Sequence, residues 1–319
     1  MTRAVALRLG AFAGVLALAF AGAFAIGSAA DPIAAADPAP SSGSHADGMD
    51  EGAEPAGHGE GHSETGGQPP GLAVSESGYT LVPKATFFQP GKAQPLQFTI
   101  QGPDGKAVTQ YTQTHEKDLH LIVVRRDLSG FHHVHPTRAA DGTWSIPFKF
   151  TAGGQWRIFT DFQPAALGKT LTLGADLNVS GLYIPVPLNE PASVYTVDGY
   201  DVTLAGTPVA GKESELTFSV SKAGKPVTDL QPYLGAFGHL VSLRGGDLAY
   251  LHTHPLQGIT FGTTFPTAGT YSLFLDFQHA GKVRTAEFTV NVGSTGTAIV
   301  PPKELPGATP GHEESPHGH

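Results

Sequence analysis

The chain has 319 residues, among them 41 Gly, 26 Pro and 15 His, and a formal net charge of −9. It contains no Cys, which excludes a disulfide framework, a thiolate metal site and lipid attachment at a cysteine. The acidic balance argues against nucleic acid as a partner, because nucleic acid requires a basic surface. Imidazole and carboxylate are therefore the groups left for holding a metal ion.

The first predicted element is an N-terminal targeting segment over residues 1–30. Arg3 and Arg8 precede an uncharged apolar stretch at 9–27, and a small-residue cleavage site follows at 28–30. The stretch can serve as a cleaved signal peptide or, because it is long enough to span a bilayer, as an uncleaved membrane anchor. Both interpretations place the remaining chain outside the cytoplasm, in the cell envelope or secreted.

The segments 31–73 and 295–319 are predicted to be disordered. They are rich in small and acidic residues and Pro, with few apolar side chains to build a core. Both carry histidines. They are therefore either merely solvated tails or segments that bind divalent metal weakly. These histidines are His45, His58, His62, His312, His317 and His319.

Between the tails the sequence repeats itself, over residues 74–181 and 192–294. HLIVVR at 120–125 matches HLVSLR at 239–244, and a second pair, IFTDFQ and LFLDFQ, follows in the same order. A Pro-rich linker joins the copies. Two copies are too few for a solenoid, so each is expected to fold as a domain with its own core.

Each copy is predicted to be all-β. Apolar and polar residues alternate in segments such as LTFSV and AEFTVNV, and turn sequences such as PDGK and TAGGQ separate them. About seven short strands in roughly 100 residues are typical of an immunoglobulin-like sandwich. The sequence therefore predicts two tandem immunoglobulin-like β-sandwich domains, with a closed barrel as the alternative.

Both copies carry the pattern His-x12-His-x-His-Pro, on two strands joined by a predicted four-residue hairpin loop. That loop places the first histidine opposite the third, and side-chain alternation puts the last two on one face. Three imidazoles on one hairpin suit Cu(II) or Zn(II). The alternative is that apolar neighbours on the same face make them hydrogen-bonded core residues. The six candidates are His120, His133, His135, His239, His252 and His254.

An aspartate, Asp161 or Asp276, also recurs in the matching IFTDFQ and LFLDFQ segments. In an immunoglobulin-like sheet that strand can lie beside the strand of the first histidine. The carboxylate would then complete a three-His, one-Asp site or hold an imidazole by its second nitrogen. Against this, Asp161 alternates with Trp156, Ile158 and Phe162, which look like the core face of their strand, so its carboxylate would point away from the apolar side that the histidines share. Three histidines without a counterpart are expected to be accessory at most: His115, His132 and His279.

The paired segments HLIVVRRDLSGFHHVHP and HLVSLRGGDLAYLHTHP resemble the small secreted β-sandwich domains grouped as YtkA-like and, more distantly, CopC-type periplasmic copper carriers. The resemblance implies extracytoplasmic metal handling, with copper marginally favoured and a membrane metal transporter as a candidate partner. CopC-type carriers begin their mature chain with a ligand histidine, and no equivalent is apparent here.

Enzyme classes fit less well. HTHP resembles the start of the JAMM metalloprotease signature, but the required Ser and Asp positions hold Thr263 and Pro266, and Trp144 and Pro147 in the other copy. FHHVHP resembles a strand of copper–zinc superoxide dismutases, whose further histidines and disulfide are missing. The sequence therefore predicts a non-enzymatic protein that buffers or delivers Cu(II) or Zn(II) or confers resistance to it. The alternative is a cell-envelope adhesion or scaffold protein with core histidines.

Overall fold

The computed structural model describes residues 68–251 and 253–301, all within one compact unit. The N-terminal targeting segment, the histidines of both tails and His252 lie outside the described residues. All named regular elements of the described part are β-strands. None of its elements is a helix able to cross a bilayer.

The first repeat forms two facing sheets. Its strands are β1 (Ser75–Glu76), β2 (Tyr79–Pro83), β3 (Phe87–Phe88), β4 (Ala93–Gln101), β5 (Tyr111–Thr112), β6 (Leu119–Arg125), β7 (His132–Val134), β8 (Thr137–Arg138), β9 (Trp144–Lys149), β10 (Gly154–Pro164) and β11 (Leu171–Val179). One sheet has the order β1-β2-β4-β9-β8, and the other has the order β3-β11-β10-β6-β7 with β5 beside β10.

The second repeat has the same plan. Its strands are β12 (Val194–Val197), β13 (Tyr200–Gly206), β14 (Glu213–Lys222), β15 (Lys225–Pro226), β16 (Gly238–Arg244), β17 (Tyr250–Leu251), β18 (Thr253–Pro255), β19 (Thr260–Thr264), β20 (Gly269–His279) and β21 (Lys282–Val292). The sheets have the orders β12-β13-β14-β19-β18, with β15 beside β14, and β17-β16-β20-β21.

Each repeat has an apolar core between its two sheets. Trp156 and Phe98 come from opposite sheets of the first repeat and belong to one buried cluster. Tyr271 and Phe218 do the same in the second. Burial in β14 alternates residue by residue, as expected for a strand with one face on a core. The chain therefore folds as two immunoglobulin-like β-sandwiches, and the barrel alternative is wrong.

A third apolar cluster lies between the repeats. On β6, Leu121 and Val123 point into the first core, whereas Ile122 and Val124 face the second repeat. This explains why HLIVVR is almost continuously apolar, because a strand buried on both faces does not alternate. The cluster comprises Ile122, Val124, Leu128, Phe131, Phe159, Val241, Leu243, Leu248, Tyr250 and Phe274.

The interface is built from equivalent residues of the two copies. Phe131 stacks on Phe274 with ring centroids 3.9 Å apart and an interplanar angle of 3°. The counterpart of this pair in the alignment of the copies is Tyr250 with Phe159, and those rings lie 5.8 Å apart. Because matched residues meet in reciprocal pairs, the two repeats pack like the subunits of a two-fold-symmetric dimer.

Candidate metal centre

The hairpin of β6 and β7 brings three histidines of the first repeat together. Its register pairs Ile122 with His133, as the sequence predicts. Two residues further along in the same register, Nδ1 of His120 and Nε2 of His135 are 3.1 Å apart. One ring nitrogen from each of His120, His133 and His135 lies within 4.8 Å of the other two. The predicted convergence of these three side chains is confirmed.

The three imidazoles lie on the outer face of the first sandwich, towards the second repeat. Leu119 and Leu121 belong to the sandwich core, so alternation along β6 turns His120 to the opposite side. The sequence predicts correctly that His120 shares a face with Ile122. That face is buried by the second repeat, and His120 is therefore only 1% exposed.

Hydrogen bonds outside the triad fix the protonated nitrogen of two of these rings. Nε2 of His120 lies 2.9 Å from the carbonyl oxygen of Thr114, which can only accept, so Nε2 carries the hydrogen. Nδ1 of His133 lies 2.8 Å from Oδ2 of Asp276 and donates to that carboxylate. In their neutral forms, His120 and His133 therefore present lone pairs at Nδ1 and Nε2 respectively.

Those two lone pairs point at each other. Nδ1 of His120 and Nε2 of His133 are 3.1 Å apart, and Nε2 of His135 lies at the same distance from Nδ1 of His120. Two facing acceptors are unfavourable in a buried site unless a cation or an extra proton lies between them. Nitrogen ligands of tetrahedral zinc, about 2.0–2.1 Å from the metal, lie roughly 3.3 Å apart. The two separations from His120 are therefore close to those between the ligands of a metal ion.

Burial favours the neutral form of three clustered imidazoles. It lowers the pKa of His120 to about 4, and neighbouring His133 adds to the shift. Burial likewise lowers the pKa of His135 to about 3. The same cause holds the pKa of His239 well below its usual range. Since a histidine must be unprotonated to bind a metal, these shifts prepare the cluster for binding at neutral pH.

The lowered pKa of His120 predicts acid sensitivity of the metal-free protein. Its unfolded pKa is about 6.5, so the unfolded state binds more protons between pH 6.5 and about 4. The contribution of neutral His120 to the free energy of unfolding is then fully present above pH 6.5. It is lost as the pH falls, by about 2 kcal/mol between pH 7.5 and 5. Urea unfolding with a chelator present should show this loss, and His120→Gln should reduce it. Equal pH dependence in both proteins would contradict the prediction.

The two aspartates lie on the faces of their strands that carry the histidines. Asp161 pairs with His120 across β10 and β6, and Asp276 pairs with His239 across β20 and β16. Asp161 does turn away from the core of its own sandwich, as expected, but directly opposed residues share a face, so it lies on the same outer face as His120. Asp161 accepts a hydrogen bond from Thr172. Asp276 accepts a hydrogen bond from Nδ1 of His133, a residue of the other repeat.

Two further histidines complete the cluster. His239 stacks on its counterpart His120, with centroids 5.4 Å apart and an angle of 13°, and lies 4.6 Å from the ring of His133. His115 packs edge-on against His120 and His239. Only its closeness in sequence to His120 hinted at this position, because it has no counterpart in the second copy.

The other two unmatched histidines lie elsewhere. His279 contacts the hydroxyl of Tyr200 and the carboxylate of Asp229. His132 packs edge-on against Phe148. Neither joins the group of ligand nitrogens found in the described part of the chain.

The second repeat does not reproduce the first arrangement. The predicted register between β16 and β17 is present, with Ser242 opposite Leu251. His254, however, lies on β18 in the other sheet, and its Nε2 contacts Glu213 at 3.2 Å with 46% of the side chain exposed. The expectation that His254 joins His239 is therefore wrong, while His252 is not described.

The difference between the repeats begins at one aligned position. In the first repeat, Val134 packs on the core and lies on β7, which pairs with β6. Its counterpart is Thr253, whose hydroxyl donates to the carbonyl of Leu240. From Thr253 onwards the chain pairs with β19, so His254 does not lie in the sheet that carries His239.

The fold and the cluster define a duplicated all-β protein with histidines gathered between its repeats. A family model described as a domain of unknown function, DUF8832, matches residues 73–181 and again 195–294. The chain belongs to this family. No curated protein matches it.

Several solved structures share the fold at low similarity. FdeC, an Escherichia coli adhesin, is 18% identical with a TM-score of 0.24, and the match covers 71% of this chain and 65% of the adhesin. A putative membrane-anchored protein from Corynebacterium diphtheriae is 12% identical, with a TM-score of 0.21 and coverages of 73% and 60%. Invasin, a bacterial integrin-binding protein, is 13% identical, with a TM-score of 0.19 and coverages of 66% and 38%. The chain thus spans just under two thirds of the adhesin's length.

Proposed function

We propose that this protein binds one divalent transition-metal ion, Zn(II) or Cu(II), through His120, His133 and His135. The observation that carries the proposal is the pair of facing lone pairs on His120 and His133, 3.1 Å apart in a buried site. A cation placed between them, in reach of His135, turns an unfavourable contact into coordination. The resemblance to YtkA-like domains agrees with this role and remains part of the proposal.

The ligand chemistry narrows the choice of ion. Three neutral imidazoles suit Zn(II) and Cu(II). The chain has no Cys and only two Met, so it lacks the sulfur ligands of a dedicated Cu(I) site. A solvent-open cleft, lined also by Lys117, Asp118 and Arg138, reaches one of the three proposed ligands, His135. Metal buffering or delivery in the cell envelope, to a membrane metal transporter, is the corresponding role.

The second candidate is a non-metal adhesion or scaffold module of the cell envelope. In that case a proton on His133 replaces the ion, because His133 would then donate to both Asp276 and His120. The hydrogen bond to Asp276 favours this alternative, since it would become a buried ion pair.

Metal loading distinguishes the two candidates. The full chain, with its six tail histidines replaced by Asn, is titrated with Zn(II) and with Co(II) as a spectroscopic probe. Metal binding predicts one tightly bound ion per chain and the visible absorption of tetrahedral Co(II). The scaffold alternative predicts no tightly bound ion and no such absorption.

A further inference from the structure

We infer that the second repeat is a functional part of the metal site, so that a bound ion and the packing of the two repeats stabilise each other. This inference rests on the metal binding proposed above. It goes beyond the three ligands, all of which belong to the first repeat. The residue that carries it is Asp276, on β20 of the second repeat.

Asp276 is held firmly against the site. Its Oδ2 accepts the hydrogen of Nδ1 of His133 at 2.8 Å, and its Oδ1 accepts from the hydroxyl of Thr285 at 2.6 Å. The side chains of His133 and Asp276 are almost fully buried. Strand pairing places Asp276 beside His239, whose ring lies against those of His120 and His133. The second repeat thus supplies both a carboxylate and a wall for the ligand rings.

The carboxylate acts on the ion through the imidazole. It keeps the hydrogen on Nδ1 of His133, which leaves the lone pair of Nε2 free and directed at the other ligands. It also makes that nitrogen a stronger base and therefore a stronger ligand. In return, an ion on Nε2 withdraws electrons from the ring and strengthens the Nδ1 hydrogen bond to Asp276. Asp276 is therefore a positioning residue rather than a ligand.

Thermodynamic linkage turns this contact into a coupling between ion and domain packing. If the packed arrangement of the repeats raises metal affinity by some factor, the ion favours that arrangement by the same factor. Partners that orient a ligating histidine change metal affinity by about 10–100-fold when they are removed. We therefore expect the ion to favour the packed arrangement by about 10–100-fold.

The first arm of the test measures affinity. Asp276→Ala should weaken Zn(II) binding by about 10–100-fold. Asp276→Asn should lose less affinity, because its amide oxygen can still accept the hydrogen bond from Nδ1 of His133. The Co(II) spectrum should keep its tetrahedral form in both variants, because the three imidazoles remain. Asp229→Asn is the matched control, since Asp229 contacts a histidine outside the cluster, His279. It should leave the affinity unchanged.

The second arm measures the arrangement of the repeats. The chain has no native cysteine, so Lys84→Cys and Lys225→Cys place one spin label on an exposed position of each repeat. Zn(II) should narrow the distribution of distances between the labels. With Asp276→Ala added, saturating Zn(II) should no longer narrow it.

The possible outcomes separate the inference from the proposed function. If Zn(II) binds with equal affinity with and without Asp276, and the distribution of label distances is the same with and without Zn(II), the inference is wrong while metal binding stands. If the Asp276 variants leave the native affinity but Asp229→Asn lowers it, the inference is also overturned. If the unsubstituted chain binds no Zn(II) and no Co(II), metal binding itself is wrong.

Discussion

His133→Ala combined with His135→Ala should remove the tight Zn(II) and Cu(II) site, lowering the stoichiometry of tight binding by one ion per chain. The pair supplies two of the three nitrogens that lie within 4.8 Å of one another. His120 alone would remain, and a single imidazole holds a divalent ion poorly. Isothermal titration of the chain without tail histidines measures this loss.

The second repeat offers the matched control, because it carries the same two-histidine motif. His252→Ala with His254→Ala should leave the stoichiometry of tight binding unchanged, since His254 lies on β18 and contacts Glu213. Thermal melts without metal test the alternative that the histidines of the first motif are hydrogen-bonded core residues. If the first double variant melts at a lower temperature but still binds as many ions as the unsubstituted chain, the histidines are core residues and the metal assignment is wrong.

Phe274→Ala should lower the free energy of unfolding by about 3–5 kcal/mol, the usual cost of truncating a buried phenylalanine. Phe274 is 2% exposed, belongs to the cluster between the repeats and stacks on Phe131. Its removal leaves a cavity on the face that joins the repeats. Urea unfolding followed by circular dichroism measures the total loss of stability. Tryptophan fluorescence follows the first repeat alone, because Trp144 and Trp156 both lie there.

Phe87→Ala is the control for this substitution. Phe87 is 78% exposed, so its truncation should change stability by no more than about 0.5 kcal/mol. Phe274→Ala should also shift the tryptophan transition, although the substitution is in the second repeat. Equal stability losses in the two variants, or an unmoved tryptophan transition, would show that the repeats do not stabilise each other through this face.

The fold class could be predicted because strand alternation and duplication are local properties of the sequence. Segments such as LTFSV alternate with a period of two, and the corresponding strand β14 buries every second side chain. The hairpin of the first histidine motif could also be predicted from the sequence, since loop length sets its register. This is why Ile122 lies opposite His133 as expected. Because that register is kept as far as His135 in the first repeat, His120, His133 and His135 converge.

The second motif shows the limit of this reasoning. Its spacing is identical, yet from Thr253 onwards the chain pairs with another sheet, and His254 contacts Glu213 there. The copies differ in which side chain packs on the core at the position where this exchange begins. Val134 packs there in the first repeat, and the counterpart Thr253 bonds to a backbone carbonyl instead. A pattern of histidines alone does not contain that information.

The sequence by itself determined two β-sandwiches, the hairpin of the first motif and the neutral imidazole chemistry available for a metal. Only the tertiary structure decided where those imidazoles face and what supports them. His120 lies on the outer face of its sheet, and that face is buried because the apolar outer faces of both repeats pack together. The same packing brings Asp276 to His133 and His239 onto His120. Such contacts join residues far apart in the chain, and no spacing rule within one strand or hairpin reaches them.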